Sequence, residues 1–268
     1  MTSPTPVLFI HGLWVHASAW QPWLDRFTEA GYRAEAPGWP GDSESVEETR
    51  RHPERLARVG IAAITDHYAA IASRLPERPI VIGHSFGGLI AQKLLASGVA
   101  RAAVAIDPAP IKGVKALPLA QIRSAFPIIS KKSNTDKAVS LTRGQFRYGF
   151  GNALAREESD RLFEAFSIPG PGRPLFELTG AKKDIASPTA VDLDDSSRGP
   201  LLILGGAQDH TIPEIVSRQA AALYRPGSGT TYRKIDGRGH SLVFDSGWKH
   251  VADTALGWVT QIERAARH

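Results

Sequence analysis

The sequence predicts a doubly wound α/β fold with a mainly parallel sheet of about six strands and an inserted helical segment. Three observations carry that expectation. Six short strand-like runs, at 7–10, 33–36, 80–82, 102–106, 201–204 and 230–235, are set far enough apart for helices to lie between them. The most apolar of them, Val-Leu-Phe-Ile at 7–10 and Leu-Leu-Ile-Leu at 201–204, are continuous rather than alternating, as strands covered on both faces require. Amphipathic stretches near 17–30, 56–75, 86–97, 213–224 and 248–266 supply the covering helices.

The alternation breaks once. From Asp107-Pro108-Ala109-Pro110 to Arg198-Gly199-Pro200 no convincing strand pattern occurs, while helical stretches such as 154–166 are punctuated by Ile168-Pro169-Gly170-Pro171-Gly172. A structureless loop of that length is improbable inside a compact domain, so the segment is expected to be a helical cap. The expected division is a core of 1–109 and 197–268 with a cap at 110–196.

Composition limits the function classes. The chain has 268 residues, 42% apolar and 22% charged, enough for a sizeable core and unlike a disordered protein. It has no cysteine, which removes disulfides, thiolate metal sites and a cysteine nucleophile. No apolar run approaches bilayer length and the N-terminal stretch has no basic region, so no membrane span and a cytoplasmic location are expected. The net charge of +5 is concentrated: 111–150 holds eight basic residues against the single acid Asp136. Without interleaved aromatics or a binding motif this segment does not read as a nucleic-acid site, and a solvated helical face is the simpler account.

The stretch Ile82-Gly83-His84-Ser85-Phe86-Gly87-Gly88 joins the strand at 80–82 to the helix at 86–97. In an open parallel sheet, ligands gather at the carboxyl ends of strands, and Ser85 stands at such an end. Glycine at 83 and 87 suits a turn so tight that side chains there would collide. A serine hydroxyl is a weak nucleophile near neutral pH, so a base and a group that orients the base must be sought elsewhere.

This strand-turn-helix Gly-x-Ser-x-Gly resembles the nucleophile elbow of the α/β-hydrolase family. Three further stretches share the resemblance. Gly205-Gly206-Ala207-Gln208-Asp209-His210-Thr211-Ile212-Pro213 is similar to the family's acid loop and implies Asp209 as the triad acid. Asp236-Gly237-Arg238-Gly239-His240-Ser241 is similar to its histidine loop and implies His240. Phe9-Ile10-His11-Gly12-Leu13-Trp14 is similar to its oxyanion-hole strand, which implies the backbone N–H groups of Leu13 and Phe86 as donors. Asp107 ends another strand and is the alternative acid. His11 and His84 are expected to shape their turns, and Trp20 and Trp23, at i and i+3, to be core. Trp14 and Trp39 are expected to line the substrate pocket.

The resemblance implies a serine hydrolase acting on a small hydrophobic ester or lactone through an acyl-enzyme on Ser85, with no metal or organic cofactor. The apolar residues Ile111, Val114, Leu117, Leu119, Ile122, Phe126, Ile128 and Ile129 suggest a compact hydrophobic pocket, and the basic surround tolerates an anionic group. The same fold also hosts cofactor-free perhydrolase or haloperoxidase-like enzymes, C–C hydrolases, lyases and dioxygenases, and small-molecule receptors with residual hydrolysis. Most relatives begin with an antiparallel hairpin that this chain lacks. The trimmed sheet is therefore expected to leave an edge open to a second copy of the chain.

Overall fold

The structure, a computed structural model, describes residues 4–266 apart from 182, 183, 185 and 196. The expected boundary at 196 and the outermost residues of the expected core therefore lie outside the described residues. Six strands form one sheet: β1 (Pro6–Ile10), β2 (Arg33–Glu35), β3 (Ile80–His84), β4 (Ala102–Ile106), β7 (Leu201–Gly206) and β8 (Thr230–Ile235). Between β4 and β7 lie two further short strands, β5 (Ala138–Val139) and β6 (Gly170–Pro171).

The sheet order is β2-β1-β3-β4-β7-β8, and every pairing in it is parallel. The chain leaves β1 for one side to make β2 and for the other to make β3, so the switch in direction falls between β1 and β3. Every residue of β1, β3, β4 and β7 is buried. Their branched and aromatic side chains are therefore covered on both faces, as continuous apolar runs require. The outer strands differ: β2 has three residues, none of them buried, and β8 buries only Ile235.

The covering helices are α1 (Gln21–Glu29), α2 (Val46–Arg51), α3 (Ile61–Ala72), α4 (Phe86–Ala96), α9 (Glu214–Ala222) and α10 (Trp248–Ala265). α1 is preceded by a 3-10 turn at Ala17–Trp20. Phe9 anchors this side of the sheet. It packs against Trp20, Trp23 and Phe27 with ring centroids 5.1, 6.0 and 5.2 Å away. The Trp23 indole also donates to the Val243 carbonyl at 2.7 Å. α2 has no place in the sequence pattern, because its six residues, Val-Glu-Glu-Thr-Arg-Arg, carry too few apolar positions for a 3.6-residue period. It is set instead by its start, where Ser45 Oγ accepts from the Glu48 N–H at 3.1 Å.

The segment between β4 and β7 is mainly helical: α5 (Leu119–Ile129), α6 (Arg143–Gly149), α7 (Arg156–Phe166) and α8 (Arg173–Gly180). The expectation of no strand there is corrected by β5 and β6, an antiparallel pair of two residues each. Two residues cannot display a period, so only tertiary pairing reveals them. The segment is tied to the loop after β1 by backbone bonds from His16 N–H to Phe166 O and from Ile168 N–H to Trp14 O, both 3.0 Å. Trp14 Nε1 adds a bond to Val139 O at 2.9 Å.

Candidate active site

The turn between β3 and α4 is the tightest feature of the sheet. Ser85 holds φ +56° and ψ −120°, a conformation that costs a non-glycine residue energy and persists only where the surroundings enforce it. Those surroundings are backbone: Ser85 N–H donates to Ile106 O, and Ser85 O accepts from Ala109 N–H, each at 2.9 Å. A Cβ at position 83 would lie 2.0 Å from Gly87 O, and one at 87 would lie 2.1 Å from Ile10 O. A Cβ at position 12 would meet Ser85 Cβ at 2.7 Å. Glycine is thus what allows β1, β3 and α4 to close around the serine.

Asp209 follows β7 and His240 follows β8. The two loops are cross-linked by Ala207 N–H to Ile235 O and Gln208 N–H to Arg238 O, both 2.9 Å. His240 Nδ1 lies 2.5 Å from Asp209 Oδ2, and the other Asp209 oxygen accepts from the amides of Thr211 (2.6 Å) and Ile212 (2.8 Å). Both side chains are sealed from solvent. Burial lowers the imidazole to about 4, so His240 is neutral at physiological pH. Its Nε2 is buried and meets no hydrogen-bond partner. The ring is held between His84 and Phe150, with centroids 4.5 and 4.8 Å away.

Asp107 ends β4 beside this pair, fully buried and with φ +40°. Its Oδ1 accepts from Gly206 N–H at 2.6 Å, and its carboxyl hydrogen-bonds to that of Asp209. Burial first, and then the neighbouring Asp209 carboxylate, push the Asp107 carboxyl well above the ordinary range. Burial raises Asp209 too, to about 7, but Asp107 and the amides of Ile212 and Thr211 counter the rise. Since two adjacent buried carboxyls cannot both ionise cheaply, Asp107 is the one that keeps the proton more firmly. His84 is likewise neutral, driven down by burial and by His240. Among the described residues, His84, Asp107 and His240 form the group whose atoms could share a metal ion, lying within 4.8 Å of one another. All three are buried, His84 against the His240 ring and Asp107 beside Asp209.

The loop after β1 brings Leu13 and Trp14 to the same rim. Phe86 is the first residue of α4, where backbone N–H groups have no intrahelical acceptor. Trp14, with φ +68°, lines the cavity beside Ser85, as do Leu13 and Phe86. Trp39 does not. It is buried, stacks on the His11 ring at 5.1 Å, and donates from Nε1 to His11 O at 3.1 Å. Its expected place in the pocket is corrected: it braces the β1 turn from behind. Asp42 completes that brace through His11 Nε2 at 2.9 Å, a role with no signal in the sequence beyond its glycine-rich loop.

The cavity measures about 360 Å³ and is lined mainly by apolar side chains of the helical segment, including Ile111, Val114, Leu117, Ile122 and Ile129. Leu119, Phe126 and Ile128, also expected there, are not among the lining residues. Leu119 and Phe126 are 84% and 59% exposed, and Ile128 is packed into the core. Phe150, just past α6, Leu175, in α8, and Ile212, before α9, line it without having been expected to, because nothing local in the sequence tells which side chain meets a distant strand end.

A doubly wound parallel sheet, with serine, carboxylate, imidazole and a glycine turn each just past a strand's carboxyl end, defines a class of protein. The model of the alpha/beta hydrolase family matches residues 7–254, and the chain belongs to that family. No curated protein matches it. Among solved structures, a monoacylglycerol lipase from Paleococcus ferrophilus is 19% identical with a TM-score of 0.68, covering 97% of this chain and 96% of that one. A putative non-heme bromoperoxidase from Mycobacterium tuberculosis is 19% identical with a TM-score of 0.70, covering 98% and 94%. A methylesterase from Arabidopsis is 14% identical with a TM-score of 0.65, covering 96% and 99%. At these identities the likeness concerns the fold. No helix among the described residues is long and apolar enough to cross a membrane.

Proposed function

We propose that the protein is a serine hydrolase that cleaves a small hydrophobic ester or lactone through an acyl-enzyme on Ser85. The observation that carries the reading is the buried 2.5 Å contact between His240 Nδ1 and Asp209 Oδ2. It fixes the tautomer that leaves Nε2 as a free base, on the same rim as a serine held in a strained turn.

Ser85 Oγ attacks the substrate carbonyl while His240 Nε2 takes its proton, and Asp209 stabilises the imidazolium. The oxyanion is received by the N–H groups of Leu13 and Phe86, donors of a kind commonly worth about 3–4 kcal/mol each. His240 returns the proton to the leaving alcohol, after which water, activated by the same imidazole, releases the acid. Asp107 is set aside as the triad acid because the proton it holds makes it a poor partner for an imidazolium. The helices between β4 and β7 act as a cap that closes the apolar cavity over Ser85. Among the described lining residues the one cation is Lys112, which donates to Asp184 O at 2.8 Å, and this favours a neutral substrate over an anionic one.

Labelling with a fluorophosphonate probe tests the reading: stoichiometric modification of Ser85, lost in Ser85→Ala and in His240→Ala, is expected. A second reading keeps His240 as a base that acts without Ser85, and is favoured by the absence of any hydrogen bond at Nε2. Turnover of a substrate that survives Ser85→Ala would select it.

A further inference from the structure

We infer that Gln121, on α5, is a specificity residue, and that the cavity is built for an apolar ester carrying one uncharged hydrogen-bonding group, a hydroxyl, away from its carbonyl. The inference rests on the proposed hydrolase reading for the reaction, but not for the binding.

The polar side chains of the cavity wall are nearly all committed. Thr211 Oγ1 donates to Gly149 O at 2.9 Å, and the Ser124 hydroxyl, 3.1 Å away, is left to donate to it. The Thr179 hydroxyl donates to Phe176 O at 2.9 Å, and Lys112 is held as described above. Gln121 differs. It lines the cavity, is only 8% exposed, and its Oε1 is buried with no hydrogen-bond partner.

An amide taken from water without a partner is among the costlier things a protein can bury, and most such groups are satisfied. Apart from these groups and Ser85, the described side chains of the wall are aliphatic or aromatic, so a partner comes from whatever fills the space. A carboxamide presents an acceptor at one end and donors at the other, whichever way its ends are turned. A hydroxyl, being both donor and acceptor, can meet either end. A carboxylate would leave the amide oxygen unpaired, and an ammonium would be stripped of water with no carboxylate among the described lining residues. The group is therefore neutral. A plain hydrocarbon chain fits the space but leaves Gln121 orphaned, and a site built to hydrogen-bond one substrate discriminates against the analogue lacking the group for that reason.

The test uses methyl ketones of medium chain length, which are never hydrolysed. One series carries a hydroxyl moved carbon by carbon along the chain, and the other is unsubstituted. Calorimetry on the wild-type protein should show at least one hydroxylated member binding about tenfold more tightly than its parent. The ratio should fall to about one in Gln121→Leu and in Gln121→Met, the latter unbranched like glutamine and available should the leucine variant fold poorly. Both variants should melt above the wild type when empty, since a buried orphan is removed. Equal affinities across the whole series, failure of every ketone to bind, or a preference that survives in a folded variant overturns the inference. Discrimination among ketones by a protein that shows no Ser85-dependent turnover of the matching esters would sink the hydrolase reading and leave Gln121 standing.

Discussion

The sheet and the helices inserted into it meet at one cavity but are built by different rules. β1, β3, β4 and β7 bury every residue, and the serine turn sits where a methyl group at position 87 would come within 2.1 Å of Ile10 O. The segment from Leu117 through α8 leaves Leu117, Leu119 and Phe126 exposed, and α7 buries a single residue, Ser159. The contrast separates two tasks. Reacting groups must be held to fractions of an ångström, which a close-packed interior supplies, whereas substrate choice needs a wall whose side chains can change without disturbing the sheet.

That division can be broken first at the chemistry. Ser85→Ala should lower kcat for ester hydrolysis by about a millionfold, and Asp209→Asn by about ten-thousandfold, measured on purified protein with a chromogenic ester. Asp107→Asn should cost less than about tenfold, because asparagine copies a carboxyl that already holds its proton. A loss in Asp107→Asn as deep as that in Asp209→Asn would exchange the roles of the two acids.

Packing supplies the next contrast. Gly87→Ala should destabilise the protein by about 3 kcal/mol or more in urea unfolding, since the added carbon meets backbone that cannot swing aside. Gly144→Ala, in α6 with nothing within 4 Å of the new carbon, should instead stabilise by about 0.5–1 kcal/mol. If both substitutions cost the same, the rigidity assigned to the sheet end would be lost.

The pH dependence of stability sharpens the account of the buried acid pair. Asp107 has a folded-state pKa raised above its unfolded value, so the folded state binds the proton more tightly. Its favourable contribution is whole below the unfolded value near ~4 and is lost as pH rises toward the folded pKa. Asp107→Asn should therefore melt above the wild type at pH 7, with the gap closing as pH approaches about 4. A gap that widens on acidification would mean that Asp107 is ionised in the folded protein. The smallest effect is expected at Leu119→Ser, 84% exposed, where stability should move by no more than about 0.5 kcal/mol.

Much of this was legible along the chain, for reasons that differ by residue. The serine turn announces itself because its glycines are demanded by contacts that follow from strand-turn-helix geometry. The runs at 7–10 and 201–204 read as strands because burial on both faces admits only apolar residues. Trp39 was misread, since an aromatic side chain carries no local sign of whether it faces a cavity or, as here, the back of the His11 turn. Leu119 and Phe126 failed for the same reason: an apolar residue in a short helix that is not wholly buried can point either way. Gln121 gave no signal at all, because a polar residue within an amphipathic helix is ordinary until its surroundings are known.

The order of residues alone determined the parallel sheet, the mainly helical segment inserted between β4 and β7 and the tight turn at Ser85, because periodicity, turn chemistry and steric exclusion act over short stretches of chain. The loops of Asp209 and His240 stood out only by their resemblance to a known family. Which of two buried carboxyls keeps a proton, which aromatics reach the cavity and which amide there lacks a partner were decided by the tertiary structure. Those properties depend on distances between segments far apart in the chain, and burial, charge coupling and hydrogen bonding have no value until those distances exist.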